Sequence, residues 1–176
     1  MKDRRITRMT TIMMVLAGAY AIYMPLSLLW WLVPFAFTDP SRWVSLANVD
    51  AAFIPMTTRA LYFGVWMVVI VTGVLAVLAG MKVLDIYRRG RYFSEEAFRW
   101  IFRLGLMIVV AMLADTVLAA TNTAILTLHN SVGQRQISFY IDNGDISLAL
   151  CGLGFCINGW VLQIARRIKV ENESFV

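Results

Sequence analysis

The chain has 176 residues, of which 60% are hydrophobic and only 15% are charged. A soluble domain carries about 45–50% apolar and about 25% charged residues, so this composition argues against a water-soluble globule. The formal net charge is +5, but the Lys and Arg residues lie beside long apolar runs. That pattern is typical of membrane orientation, and no direct nucleic-acid partner is expected.

The first predicted membrane span covers residues 10–37. Crossing a bilayer takes about 20 apolar residues at a rise of about 1.5 Å each. The uncharged run continues past that length through Trp30 and Trp31, which is too long for the core of a cleaved signal peptide. We therefore predict an uncleaved helix, with a kink at Pro25 and the two Trp side chains near the far interface.

The second and fourth predicted spans, 60–82 and 146–166, both carry small residues at helical spacing. Small side chains allow the backbones of neighbouring membrane helices to approach closely. We therefore predict that five of these residues pack against other helices: Thr72, Ala76, Gly80, Gly152 and Gly159.

The third predicted span, 104–128, carries Asp115 near its centre. A carboxylate at that depth costs about 2.5–3.5 kcal/mol on insertion scales, so it is expected to face the bundle interior. Asn122 lies seven residues later on the same face, and Asn158 of the fourth span is a candidate hydrogen-bonding partner. A proton or ion pathway is possible, but a buried structural Asp is the simpler interpretation.

Four spans would place the loops and termini of the chain on two sides of the membrane. The basic residues divide unequally between these two sides. Three of the 16 lie on one side, namely Arg42, Arg59 and Arg135, and the others lie in the N-terminus, the central loop and the C-terminal tail. The positive-inside rule then places both termini and the central loop in the cytoplasm. The predicted fold is all-α: an integral membrane four-helix bundle forming one transmembrane domain over residues 1–176.

The central loop predicts a short helical hairpin between the second and third helices. Gly90 suits the position after a helix end, and Ser94 suits an N-cap with two Glu residues behind it. This cytoplasmic surface could bind a protein or anionic lipid headgroups, or it could only set the topology. Its candidate contact residues are Arg88, Arg89, Gly90, Arg91, Phe93, Ser94, Arg99, Arg103, Arg166 and Arg167.

The two loops on the other side of the membrane from the central loop give fewer indications of function. Residues 38–58 could contain a surface helix, and residues 136–141 could be extended before a turn at 142–144. His129, the single histidine, could serve as an axial ligand to haem or a chlorin, but an interfacial histidine is the simpler interpretation. No catalytic motif or metal cluster is present in the sequence, so no enzyme activity, cofactor or metal is expected.

The stretch from Gly90 through Phe93 and Ser94, followed by Arg103-Leu104-Gly105, resembles the signature of the bacterial domain-of-unknown-function 2975 family. The tail from Ala165 to Val176 resembles that family's basic, Glu- and Asn-rich ending. The resemblance implies a small four-span protein of the bacterial inner membrane without an established activity. It also implies a possible cytoplasmic regulator as partner.

The function expected from these features is contact with other proteins, as a regulatory or sensing component or as an accessory subunit of a membrane complex. Its partners would be membrane lipids and either a membrane protein or a second copy. A small oligomeric transporter or channel using Asp115 is the alternative, and a pigment- or haem-binding subunit using His129 is a third possibility.

Overall fold

The computed structural model describes residues 4–37 and 54–174. Within these ranges the chain forms four long helices and no strand. They are α1 (Arg4–Phe37), α2 (Met56–Arg88), α3 (Glu95–Thr127) and α4 (Asn143–Ser174). The surface helix predicted within residues 38–58 falls mostly outside the described residues.

All four helices are long and apolar enough to cross a membrane. Each has at least 32 residues, or about 50 Å at 1.5 Å per residue, against a hydrocarbon thickness of about 30 Å. Large apolar side chains point away from the protein along every helix, and Trp30 is 80% exposed. Such surface is costly in water but not in lipid. The chain is therefore a multi-pass membrane protein.

Successive helices run antiparallel. Gly18 of α1 lies beside Met81 of α2, Gly80 of α2 beside Leu104 of α3, and Gly159 of α4 beside Phe102 of α3. The start of α1, the α2–α3 turn and the end of α4 therefore lie at one end of the molecule, which we call the basic end. We call the other the loop end.

The helices form an open row. The α1 backbone packs on α2, α2 packs on α3, and α3 packs on α4. Over the described residues, no other pair of helices brings its Cα atoms within 8 Å. A closed four-helix bundle would have further contacts between α1 and α4, so the arrangement is more open than the sequence led us to expect.

The best-packed part of the row is at the basic end. Ile86, Ala97 and Phe98 are at most 2% exposed, and Leu162 of α4 packs against them. Side chains from α2, α3 and α4 thus meet around Phe98. Farther along α3, Asp115 is exposed, so α2 and α4 leave part of this helix uncovered.

The loop end also shows how α4 begins. The Asp145 N–H donates to Asp142 Oδ1 at 2.9 Å, and the Asp142 N–H donates to Asp145 Oδ2 at 3.0 Å. This reciprocal pair satisfies helix-end donors as a capping box does. The turn predicted at 142–144 is therefore wrong: residues from Asn143 onward are the first turn of α4.

Candidate functional site

The turn between α2 and α3 is compact and well defined. Gly90 has φ +77°, its N–H donates to Tyr87 O at 2.8 Å, and the Arg91 N–H donates to Ile86 O at 3.2 Å. These two bonds form a Schellman motif, which ends a helix at a left-handed residue. Ser94 then caps α3 by accepting the Ala97 N–H at 3.1 Å. The predicted glycine stop and serine cap are both observed.

The basic residues at the turn differ in whether they have an acidic partner. Arg88 and Arg89 both bind Asp85, at 3.0 and 2.7 Å, and Arg91 binds Glu96 at 3.1 Å. The arginine side chains of these pairs are 45–63% exposed, so the pairs contribute little to stability. Two carboxylates are thus shared among three arginines, so the pairs offset most but not all of the positive charge there. Phe93, at the tip of the turn, is 78% exposed.

A pocket of about 500 Å³ lies beside the turn, between the start of α3 and the end of α4. Its basic lining residues include Arg99, Arg103 and Arg166, all exposed. The Arg103 guanidinium lies 5.0 Å from the centre of the Trp100 ring, a cation–π distance. Arg167 lines a second pocket of about 310 Å³ on the same end of α4. We call the pocket of about 500 Å³ at the start of α3 the basic pocket.

The predicted packing residues of α4 lie against α3. A Cβ at Gly159 would lie 2.8 Å from Phe102 N, and one at Gly152 would lie 2.9 Å from Gly105 O. Both distances are shorter than real Cβ contacts allow, so only glycine fits. In α2, Gly80 faces Leu104, while the Thr72 hydroxyl donates to Val68 O and Val69 O of its own helix and Ala76 is half-buried.

Gly105 is the tightest of these positions, although the sequence did not single it out for packing. A Cβ there would collide with Gly152 O and lie 2.6 Å from Cys156 N. The Cys156 thiol donates to Phe102 O at 3.6 Å. The signal that could have found Gly105 is its position in an apolar run of a span whose neighbour also carries glycines.

The face of α4 that points away from α3 carries small and polar residues among larger apolar ones. Taking 100° per residue, this outer face lies opposite the direction in which Gly152, Cys156 and Gly159 meet α3. Cys151 and Asn158 are exposed, and a Cβ at Gly154 would have nothing within 4 Å. This outer face of α4 carries Ser147, Cys151, Gly154, Asn158 and Ala165, together with the large apolar residues Leu150 and Val161, which are also exposed.

Asp115 is exposed in the chain instead of facing its interior. The expected interior position is therefore not observed, because α2 and α4 pack on α3 without closing over it at this level. The carboxylate lies within electrostatic range of Asp142 and Asp145 at the start of α4. It is therefore level with the beginning of α4, about 12 residues before the end of α3 at Thr127.

The two asparagines predicted to share a network with Asp115 are not brought together. Asn122 is buried, and its side-chain oxygen has no hydrogen-bond partner. Asn158 is exposed and donates to Gly154 O of its own helix at 2.9 Å. Because Gly159 lies opposite Phe102, Asn158 is about 12 residues, or about 18 Å, from Asp115 along α3. Asn158 is therefore too far from Asp115 to be its hydrogen-bonding partner, and that prediction is wrong.

His129 follows the end of α3 at the loop end. Both ring nitrogens are shielded from solvent and have no hydrogen-bond partner. An axial ligand needs a nitrogen directed at the metal, and neither nitrogen is accessible at the surface. Among residues 4–37 and 54–174, no group of three His, Cys, Asp or Glu side chains could hold a metal ion. The geometry thus offers no support for a pigment site.

Comparison with known families identifies the chain. The model of DUF2975, described as a protein of unknown function, matches residues 31–176. The chain belongs to the DUF2975 family. The resemblance seen in the turn and tail motifs is confirmed. No curated protein and no solved structure matches the chain.

The matched range locates what this DUF2975 protein shares with its family. The match begins at Trp31, near the end of α1, and runs through α2, α3 and α4. It contains the α2–α3 turn, the basic pocket and both faces of α4. All candidate site residues of this DUF2975 member therefore lie in the family region.

Proposed function

We propose that this DUF2975 protein is a non-enzymatic membrane protein that works by contact with another transmembrane helix, of a second copy or of a partner. It would lie in the bacterial inner membrane with both termini in the cytoplasm. In that setting it would act as a regulatory or sensing component or as an accessory subunit. The basic end would then be its cytoplasmic contact surface.

One observation carries this proposal: small and polar residues lie on two opposite sides of α4, and α3 covers only one of these sides. A helix face in contact with lipid alone has no need of Gly, Ser or Asn. At a helix–helix contact, small residues allow close approach and a polar amide can hydrogen-bond across the interface. Because the row is open beyond α4, the outer face of α4 is free to receive another helix.

The test uses the glycine at the centre of that face. In Gly154→Leu the added side chain would keep a second helix at a distance, and Asn158→Leu would remove the amide. We expect the double variant to weaken association about tenfold, as loss of about 1–2 kcal/mol of helix packing and hydrogen bonding implies. Association is measured as native mass and partner recovery after purification in mild detergent.

Gly64→Leu is the matched control, because Gly64 lies on α2 and a Cβ there also has nothing within 4 Å. It should leave association unchanged. A wild-type protein that is a monomer without any partner at all detergent concentrations would contradict the proposal. Equal weakening in the control would show a general effect of adding bulk in the span.

The exposed position of Asp115 supports a second candidate function, a small oligomeric transporter or channel. A carboxylate that its own chain leaves uncovered could line a pathway formed between copies. For this function, Asp115→Asn should abolish ion flux in liposomes, whereas Asp115→Glu should retain it. No flux from the wild-type protein, or unchanged flux in Asp115→Asn, would remove this candidate.

A further inference from the structure

The basic pocket has more positive charge than its own acidic residues neutralise. Arg91 and Glu96 form an ion pair within its lining. The other charged residues of the lining are one glutamate, Glu95, and three arginines, Arg99, Arg103 and Arg166. No ion pair involves these three arginines within the described residues. The pocket therefore retains an excess of about two positive charges.

The chemistry of these groups selects a phosphate. Guanidinium groups bind phosphate oxygens through paired N–H donors, and such charge-assisted bonds are stronger than neutral ones. The pocket also lies at the start of α3, where the helix dipole is positive and anions are stabilised. Its volume of about 500 Å³ is within the usual range of about 300–1,000 Å³ for small-molecule sites.

The position of the pocket favours a lipid as the source of that phosphate. Trp100 and Arg103 mark the level at which α3 changes from polar to apolar sequence, as residues at a membrane interface do. On the same face of α3, Phe102 and Leu106 are exposed. A lipid whose phosphate lies in the pocket could thus place its acyl chains along α3.

We infer that the basic pocket binds the phosphate of an anionic phospholipid headgroup, with Arg99, Arg103 and Arg166 as its ligands. Arg103 is held in place by its contact with Trp100. This site does not depend on the proposed contact through α4, because it lies on the side of α4 that faces α3.

The test compares two double variants of the full-length protein with the same change in net charge. Arg99→Gln/Arg103→Gln changes the pocket, whereas Arg88→Gln/Arg89→Gln removes two charges that are paired with Asp85 outside it. The protein, in a maltoside detergent without phosphate, is mixed with phosphatidylglycerol or phosphatidylcholine. Native mass spectrometry then counts the lipids retained. A third arm contains inorganic phosphate alone.

We expect the wild-type protein and Arg88→Gln/Arg89→Gln to retain phosphatidylglycerol in preference to phosphatidylcholine. Arg99→Gln/Arg103→Gln should lose about tenfold in retained phosphatidylglycerol, as loss of charge-assisted bonds implies. Equal loss in the two double variants, or equal retention of the two lipids, would overturn the proposal. If inorganic phosphate binds as tightly as the lipid and displaces it, the phosphate site is supported and its assignment to a lipid is overturned.

A folding defect in Arg99→Gln/Arg103→Gln would appear as a loss of helical circular dichroism. The single variant Arg166→Gln then replaces it, because it approaches the pocket from α4 and leaves the start of α3 unchanged. It should lower phosphatidylglycerol retention relative to Arg88→Gln. Retention equal to that of Arg88→Gln would overturn the proposal.

Discussion

Gly105 and Gly64 both lie within the apolar stretch of a span, yet their surroundings are opposite. A Cβ at Gly105 meets backbone atoms of α4, namely Gly152 O and Cys156 N, whereas a Cβ at Gly64 meets nothing within 4 Å. Backbone atoms inside a helix cannot move aside as the end of a flexible side chain can. The space available at each glycine, rather than its flexibility, therefore determines what a substitution does.

Gly105→Ala should destabilise the protein, because α3 and α4 must separate to admit the methyl group. Overpacking of this kind costs about 1–3 kcal/mol. Gly64→Ala should leave stability unchanged or raise it, since Ala is the better helix former. The measurement is the midpoint of unfolding on titration of mild-detergent micelles with a denaturing detergent. Equal midpoints for the two variants would contradict the close contact between α3 and α4.

Residue identity alone predicted where small side chains occur but not which of them another helix covers. Gly152, Gly154 and Gly159 are equivalent as letters, and only the contacts of α4 show that Gly154 points away from α3. Asp115 was expected inside because burial in protein is the usual way to hold a charge at bilayer depth. That expectation assumed that α2 and α4 close over α3, which depends on contacts between distant parts of the chain.

At the scale of elements, local chemistry was sufficient for the α2–α3 turn. A left-handed glycine and a serine N-cap act within a few residues, so Gly90 and Ser94 could be assigned from sequence. The start of α4 was missed because Asp142 to Gly144 has the composition of a turn, and Asp142 uses the same side chain to cap a helix. A capping aspartate and a turn aspartate look alike until the following residues are placed.

The membrane spans predicted from hydropathy are shorter than the helices that contain them. The apolar run indicated a third span from residue 104, whereas α3 begins at Glu95. Hydropathy detects the part of a helix that lipid requires, and the helix continues beyond the hydrocarbon wherever its polar turns are capped and packed. The additional turns carry Phe98, Arg99 and Trp100, so both the buried cluster and the basic pocket lie in the part that hydropathy does not detect.

For the whole molecule, the number of helices and their antiparallel order follow from four apolar runs of membrane length, because a chain that crosses a membrane repeatedly reverses its direction at each crossing. The open row does not follow from them, because each span is apolar over most of its circumference, and the few small and polar residues do not show which side another helix covers. In α4 such residues lie on both sides, and only one side is covered by α3. Closed and open arrangements of the four helices are equally compatible with the composition.

Orientation is the remaining property of the whole molecule, and it depends on charge. The basic end contains the start of α1, the α2–α3 turn and the end of α4, and these segments hold most of the 16 Lys and Arg residues. Moving such segments across a membrane is disfavoured, so the basic end should remain in the cytoplasm. Single cysteines at the two ends can test this directly.

Phe93→Cys and Val132→Cys place a thiol at the two ends, where the native residues are 78% and 92% exposed. Both are made after Cys151→Ser and Cys156→Ser have removed the native thiols. A membrane-impermeant maleimide should label the cysteine at 132 in intact cells but the cysteine at 93 only after permeabilisation. The reverse result would contradict the proposed orientation. Labelling of both in intact cells would contradict the antiparallel spans themselves, because residues at opposite ends of α3 would then share one side of the membrane.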